Sequence, residues 1–327
     1  MLIDLRRAVE PDEWGRLVRE DSRATFFHTL PWMSLLAGSQ PGMRPLFLMG
    51  SLDGELVCAM PLVRIRRMGV SVLASMPYGT FGGPLLGRSA PAGSARALVA
   101  AFARLAAAPL IGAAHLTDFA GRIQEAPRGL RATREAAQIV RLSSRTAEEI
   151  SAGFKPSARN KIRKAEAAGV TVRRAASESD FLEYGDMLAE CCRRWRARCG
   201  FGPPFFRAMA RLDPEAVQMW LAEHEGRIIA GDLNFAMHDM VVNWGNVSRD
   251  SARALAPNNL LHAAAIEDAR RRGMAIMNLG ASAGIEGVDA FKASFGAEPA
   301  PFMQFTAEKP WHRALRRAAG RTRREDA

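Results

Sequence analysis

The sequence predicts a duplicated α/β protein, on three observations. Residues 45–65 (PLFLMGSLDGELVCAMPLVRI) and residues 217–237 (VQMWLAEHEGRIIAGDLNFAM) share one plan: an apolar strand, an acidic-Gly turn, and a second apolar strand ending in small residues. The turns are Asp53-Gly54 and Glu225-Gly226, and glycine supplies the positive φ that a tight hairpin needs. After each hairpin come a further apolar stretch (Val70–Met76; Met240–Val247), an Ala-rich amphipathic helix (Ala95–Ala107; Asn258–Arg272) and a short apolar strand (Ile111–Phe119; Ala275–Leu279). A length of 327 residues fits about two domains. The cleft between two such halves is a natural ligand site.

Taken in order, Leu2–Val9 reads as a first strand. Pro11–Arg19 starts like a helix, with Pro and acids in the first turn. Thr25–Ala37 holds a short helix opened by Pro31-Trp32. Pro77–Pro84 (PYGTFGGP) is a Gly/Pro loop that either lets backbone approach a ligand closely or is simply rich in breakers. In the second half, Ser157–Ala168 is a basic helix stopped at Gly169, and Val170–Arg173 a strand. Asp180–Arg198 is a long helix, with apolar residues at 181, 182, 187, 188, 191, 192 and 195. Gly200–Pro204 breaks the chain before a short helix, Pro204–Arg211. The tail, Trp311–Arg324, is a basic helix. The expected division is residues 1–145, residues 146–308, and a tail of residues 309–327 that packs back on the first domain.

Hydrophobic residues make up 48% of the chain and charged residues 24%, ordinary for a globular protein. The balance is basic: 45 Lys and Arg against 34 Asp and Glu, net +11. That favours an anionic partner such as nucleic acid, a nucleotide-linked substrate or an anionic membrane surface. A GC-rich genome, which enriches Arg and Ala, is the competing explanation. Four cysteines (Cys58, Cys191, Cys192, Cys199) form no disulfide framework and no zinc spacing, so reduced thiols in a cytoplasmic protein are expected. The N-terminus lacks an apolar signal region. The most apolar stretch, Val99–Leu116, is interrupted by Arg104 and Pro109 and falls short of the ~20 residues of a membrane span.

Three places carry candidate chemistry. Lys155–Lys164 (KPSARNKIRK) holds Lys155, Arg159, Lys161, Arg163 and Lys164 and no acid. On a helix Arg159 and Arg163 are neighbours, so the reading is a phosphate or nucleic-acid contact, against a merely solvated basic face. Asp289–Gly296 (DAFKASFG) reads as a loop with Lys292 between Phe291 and Phe295. Either Lys292 is desolvated and can stabilise an oxyanion, or both Phe residues enter the core and Lys292 snorkels out. Asn258-Asn259 follows Pro257 at a helix start, so Asn caps the helix or Asn259 orients a substrate. No GxSxG, Rossmann or Walker pattern occurs, and the six histidines have no metal-ligand spacing, so no metal is expected.

With these motifs in place, the chain resembles the FemAB/FemX family, which has two GNAT-like domains in tandem. Within that family it looks like the FemAB-related proteins of Gram-negative bacteria, including those near exopolysaccharide and protein-sorting loci. The matching residues are Phe27-His28-x-x-x-Trp32, the segment Gly54–Leu62 ending in Met60-Pro61-Leu62, and Ser75-Met76-Pro77-Tyr78 with Gly82-Gly83. In the second half they are Ser157-x-Arg159-Asn160-Lys161-Ile162-Arg163-Lys164-Ala165-Glu166 with Gly169-Val170, then Asn259-Leu260-Leu261, Gly280, and Phe291-Lys292-x-x-Phe295-Gly296. The basic helix and the final motif are the specific ones.

The resemblance implies two α/β (α+β) domains with mixed sheets flanked by helices, and acyl-type transfer to an amine. Members move an amino acid from aminoacyl-tRNA to a peptidoglycan precursor. By this analogy Lys292 stabilises the tetrahedral oxyanion and Phe291 packs on the tRNA 3′ end. Arg159, Lys161, Arg163, Asn259 and Tyr78 bind substrate, and Asp118 is a second catalytic candidate whose surroundings (HLTDFAG) match the family poorly. The acceptor is an amine of a cell-envelope or metabolite precursor, nucleotide- or lipid-linked, with peripheral contact to the inner membrane. No cofactor is implied. Acetyl-CoA is the co-substrate in the alternative reading, and a non-catalytic module binding RNA or an anionic polymer is the third. Arg270–Ala275 (RRRGMA) matches the R-x-x-G-x-A with which acetyltransferases cradle CoA, but here it leads from a helix into a strand, the wrong order for that cradle.

Overall fold

A computed structural model describes every residue except Met68, Arg198, Ala283 and residues 319–327. The chain forms two compact units, one of residues 1–135 and 301–327 and the other of residues 136–300. In chain order the first half gives β1 (Leu2–Arg6), α1 (Pro11–Glu20), a 3₁₀ turn (Phe26–His28), α2 (Leu30–Ser39), β2 (Met43–Leu52), β3 (Glu55–Arg67), β4 (Val70–Ser75), β5 (Leu85–Leu86), α3 (Ser94–Ala106), β6 (Ile111–Asp118) and β7 (Arg131–Arg141). The second half gives α4 (Ala147–Ala152), α5 (Pro156–Ala167), β8 (Thr171–Arg174), α6 (Glu178–Arg194), α7 (Pro203–Met209), β9 (Val217–His224), β10 (Arg227–Met237), β11 (Met240–Ser248), a 3₁₀ turn (Asp250–Leu255), α8 (Pro257–Arg271), β12 (Ile276–Ala281), α9 (Glu286–Ala293), β13 (Glu298–Glu308) and α10 (Pro310–Ala318).

The strands of the two units follow one topology. In the first unit the order is β1-β2-β3-β4-β6-β13, and in the second it is β8-β9-β10-β11-β12-β7. In each, three antiparallel pairs are followed by one parallel pair (β4·β6; β11·β12) and a closing antiparallel pair (β6·β13; β12·β7). Each closing strand comes from the other half of the sequence. Residues 137–141 of β7 pair β12, and residues 303–308 of β13 pair β6.

This exchange moves the division to 135/136 and 300/301, where sequence reasoning placed it at 145/146 and 308/309. Neither closing strand was foreseen. Both are only partly buried and rich in Ala, Pro, Thr and charge (RATREAAQIVR; EPAPFMQFTAE), so they lack the apolar alternation that marks a strand.

Helices cover the sheets as the apolar patterns dictate. In the first unit α3 buries Leu98, Val99 and Phe102 with Leu48, Leu62 and Leu116 of the sheet and Phe305 of β13. In the second, α8 buries Leu261, Ala265 and Ile266 with Ala230, Val241 and Met277. Each such large side chain contributes roughly 1.5–3 kcal/mol on burial. α10 lies in the first unit, with His312 buried against Gly112 of β6, and the tail beyond residue 318 falls outside the described residues. Among the described residues no helix is long and apolar enough to cross a membrane.

Candidate active site

In the second unit the parallel pairing of β11 with β12 runs from Met240–Ile276 to Val242–Asn278, and both strands continue past it. The carboxyl ends of parallel strands are where open α/β sheets take ligands. On one side of this opening, β11 bulges. Leu233 of β10 faces Gly245 and Asn234 faces Asn243, so Trp244 has no partner across the ladder. Its half-buried indole packs on Phe201, Phe205 and Phe235. Gly245 is required beneath, because a Cβ there would sit 2.5 Å from the Tyr184 hydroxyl, which donates to the Gly245 carbonyl at 3.1 Å.

On the other side Lys292 closes the opening. DAFKASFG is not a loop. Its first five residues form the second half of α9, and the helix ends as Ser294 reaches back to Ala290 and Phe291. A helix sets Phe291 and Phe295 on one face, four residues apart, and turns Lys292 away from them. Lys292 does not snorkel out. It is 8% exposed, and its Nζ donates to the carbonyls of Gly280 and Ala281, each at 3.0 Å. Burial pushes its pKa down to about 8, against a partial upward pull from Asp289. An ammonium has three N–H donors, so one remains for a ligand. Gly280 leaves that side uncovered: its φ is +73°, and a Cβ there would lie 3.9 Å from Nζ.

Around this lysine the strands carry buried polar groups. Asn278 accepts from the Gly280 N–H at 2.8 Å, while its Nδ2 and the Ser282 hydroxyl are buried with no hydrogen-bond partner. Such orphan groups cost ~1–3 kcal/mol unless a ligand or water meets them. Asp232 and Asn234, both fully buried, lie two residues apart on one face of β10. Asn243 of β11 donates to Asp232 at 2.5 Å and to Asn234 at 2.9 Å. His262 of α8 brings its Nδ1 to 3.3 Å from Asp232, and Asn246 lies 3.3 Å from the same nitrogen. The His262 ring packs on Phe291 and Phe295, with centroids 5.0 and 5.4 Å away. The network therefore fixes the Phe face of α9, and through it the orientation of the helix that carries Lys292.

The basic helix meets this motif directly. The Lys155 backbone N–H donates to the Ser294 carbonyl at 2.8 Å, Phe154 packs edge-on against Phe295, and Gly296 abuts Gly153.

Comparison with known proteins agrees with this frame. Residues 152–293, from the end of α4 to α9 and including Lys292, match the acetyltransferase (GNAT) domain family. FemX matches over 96% of this chain and 99% of its own, with a TM-score of 0.67 at 12% identity. The second unit carries a GNAT domain, and the whole chain has the fold of these tandem proteins. A tandem GNAT protein from the clavulanic acid biosynthesis pathway gives 0.59 at 15% identity, covering 94% of this chain and 98% of its own. L-PGS from Bacillus licheniformis gives 0.56 at 13% identity, covering 96% and 97%. At such identities the likeness is one of fold, and the family match makes the class of chemistry acyl transfer. No curated protein matches the chain by sequence.

The remaining sequence candidates fall in different places. On α5, Lys161 and Arg163 are exposed, and Arg163 donates to Asn160 at 2.6 Å. Arg159 donates to the carbonyls of Ala152 and Phe154, so it ties α4 to α5. Neither Asn258 nor Asn259 caps α8. The N-cap is Ala256, with a left-handed φ of 55°, and Pro257 takes the first helical position, which puts both asparagines inside the first turn. Asn259 is buried there.

Two candidates lie in the first unit. Asp118, fully buried at the end of β6, accepts from the Ile123 N–H at 2.7 Å; burial raises its pKa against that bond. Tyr78 is half-buried with φ +64°, and its hydroxyl donates to Gln40 at 3.4 Å. The CoA-like RRRGMA stretch ends α8 and leads into β12, while the strand-to-helix crossing after β11 contains no glycine and is filled by its 3₁₀ turn. Among the described residues no group of three His, Cys, Asp or Glu could hold a metal.

Sequence reasoning missed Asp232, Asn234, Asn243 and Asn278. The signal was present: polar residues at alternate positions in an otherwise apolar strand (AGDLNFAM) have no reason to be there unless they are paired or used.

Proposed function

We propose that the second unit is an N-acyltransferase site that moves an aminoacyl group from aminoacyl-tRNA to an amine on a cell-envelope or metabolite precursor. The observation that carries this is the Lys292 ammonium, buried at the open end of β11 and β12 with two donors committed and one spare. With a pKa of about 8 it is roughly nine-tenths protonated at pH 7.

In the reaction the acceptor amine attacks the ester carbonyl, and the carbonyl oxygen takes the developing negative charge. Lys292 and the orphan Nδ2 of Asn278 stabilise that charge in a dry site, where such contacts act most strongly. The C–N bond forms, the bond between the acyl carbon and the ribose oxygen breaks, and the departing ribose oxygen takes a proton to become a hydroxyl. The amine loses its proton to a substrate group or water. Phe291 packs on the terminal base of the donor, Lys161 and Arg163 contact its phosphates, and Asn259 orients the acyl group. Arg159, Asp118 and Tyr78 hold local structure instead.

Acyl-CoA is the competing donor. The glycine-free crossing after β11 favours tRNA, because a pyrophosphate cradle needs backbone N–H groups free to approach it. A thermal-shift comparison of acetyl-CoA with a mixed aminoacyl-tRNA pool tests the reading. A ligand at ~100 times its Kd adds roughly 2.7 kcal/mol. A shift with charged tRNA alone is expected; a shift with acetyl-CoA alone refutes the assigned donor.

A further inference from the structure

In the first unit, α10 presents two chemistries on either side of its buried strip. His312 and Arg316 face inward: the His312 ring covers Gly112, and Arg316 donates to Glu308 at 3.0 Å. On one flank Trp311 and Leu315, four residues apart, stand 40% and 54% exposed. The Trp311 ring lies over Gly112, and Leu110, two residues before it, is 74% exposed. Three large apolar side chains thus face water near one another, an arrangement that marks an interaction surface. On the other flank Arg313 and Arg317, also four apart, are exposed. With Arg131, Arg316 and Glu308 they line an open cavity of about 430 Å³. That lining is four guanidiniums to one carboxylate, and the carboxylate is already held by Arg313, Arg316 and His312.

We infer that this face of the first unit docks on a lipid bilayer carrying anionic headgroups. Trp311, Leu315 and Leu110 enter the boundary between headgroups and acyl chains, and the arginine-lined cavity takes a headgroup phosphate. A helix with an apolar row beside a cationic row lies in that interface, where Trp is favoured and where the Arg fork suits phosphate geometry. The charge pattern selects the occupant. Arginines alone would suit any polyanion, but the apolar row gains nothing from a solvated RNA backbone. The inference is independent of which donor the second unit uses.

The test is co-sedimentation of the full chain with phosphatidylcholine vesicles, with and without about one-third phosphatidylglycerol. Binding to the anionic vesicles alone, weakened by salt, is expected. Trp311→Ser with Leu315→Ser, and separately Arg313→Gln with Arg317→Gln, should each weaken it at least about tenfold with the melting temperature unchanged, since these side chains are exposed. Equal binding to neutral vesicles, no binding to anionic ones, or unaltered binding by either double variant overturns the proposal. So does a dimer in light scattering that the Trp311/Leu315 variant dissolves, which would give the face to a second copy. Binding of tRNA but not vesicles, lost in the arginine variant, would give it to RNA and also overturns the proposal.

Discussion

Replacing Lys292 by Met keeps most of the stem and removes the charge. If Lys292 stabilises the oxyanion, the loss of one such donor lowers kcat by ~10²–10³, or about 2.7–4 kcal/mol. The variant should still fold. Holding the pKa at about 8 against the ordinary 10.5 costs the native state about 3 kcal/mol at pH 7, and Met removes that cost. Against this, the carbonyls of Gly280 and Ala281 lose their donor, at about 1 kcal/mol each. The two nearly cancel. The pH dependence separates them: the folded pKa lies below the unfolded one, so the penalty is full below about pH 8 and disappears as pH rises towards 10.5. Wild type should therefore gain stability relative to Lys292→Met between pH 7 and 10. Its turnover at saturating acceptor should fall above pH 8, as the ammonium is lost. The assays are single-turnover transfer from charged tRNA and thermal unfolding across pH. Wild-type turnover in a folded Lys292→Met protein would refute the role, and parallel stability curves would refute the buried ammonium.

Three other changes probe the surroundings. Gly280→Ala forces a side chain into the left-handed region at φ +73° and places a Cβ beside the lysine Nζ, so stability should fall by ~1–2 kcal/mol and turnover by more than that accounts for, read by melting and kinetics on one preparation. Asp232→Ala strips Asn243, Asn234 and His262 of their shared acceptor; a loss of ~3–5 kcal/mol should appear as a lower denaturant midpoint with unchanged slope. Lys161→Gln with Arg163→Gln should weaken tRNA binding and reduce the salt slope by about 0.7–0.9 per lost phosphate contact, while leaving the melting temperature in place because both side chains are exposed.

The repeat was legible because each hairpin has two apolar strands meeting at an acidic-Gly turn, a pattern set by local geometry. The exchanged strands were not, because a strand's side-chain alternation says which face is buried and nothing about which sheet it joins. β7 adds Arg131, Arg134 and Glu135 to a run of alanines, which reads as helix or linker. At the site, the residues of the F-K motif were singled out, but their conformation was not. Read as a loop, Phe291, Lys292 and Phe295 all compete for the core; read as a helix, only the two Phe share a face and Lys292 turns to the end of β12. The lysine's burial then depends on the Gly280 and Ala281 carbonyls, twelve and eleven residues away, which no local pattern encodes.

Comparison of the two units argues for where the chemistry lies. They share a topology strand for strand, so equivalent elements can be set side by side. β10 carries Asp232 and Asn234 inside its apolar run; β3, its equivalent, reads ELVCAMPLVRIRR and carries no such pair. α8 brings Asn258, Asn259 and His262 to its first two turns, while α3 opens SARALVAAF and buries mainly apolar side chains. Buried polar groups cost stability unless they are paired or used, so their concentration on β10, α8 and the end of β12 needs an explanation. At these equivalent elements the first unit is apolar, although it buries polar groups elsewhere, Asp21, His28 and Asp118 among them; the second gathers a hydrogen-bonded cluster, two orphan polar atoms and a desolvated lysine at one strand end. That asymmetry, within one duplicated plan, is what a single active site in the second unit would leave behind.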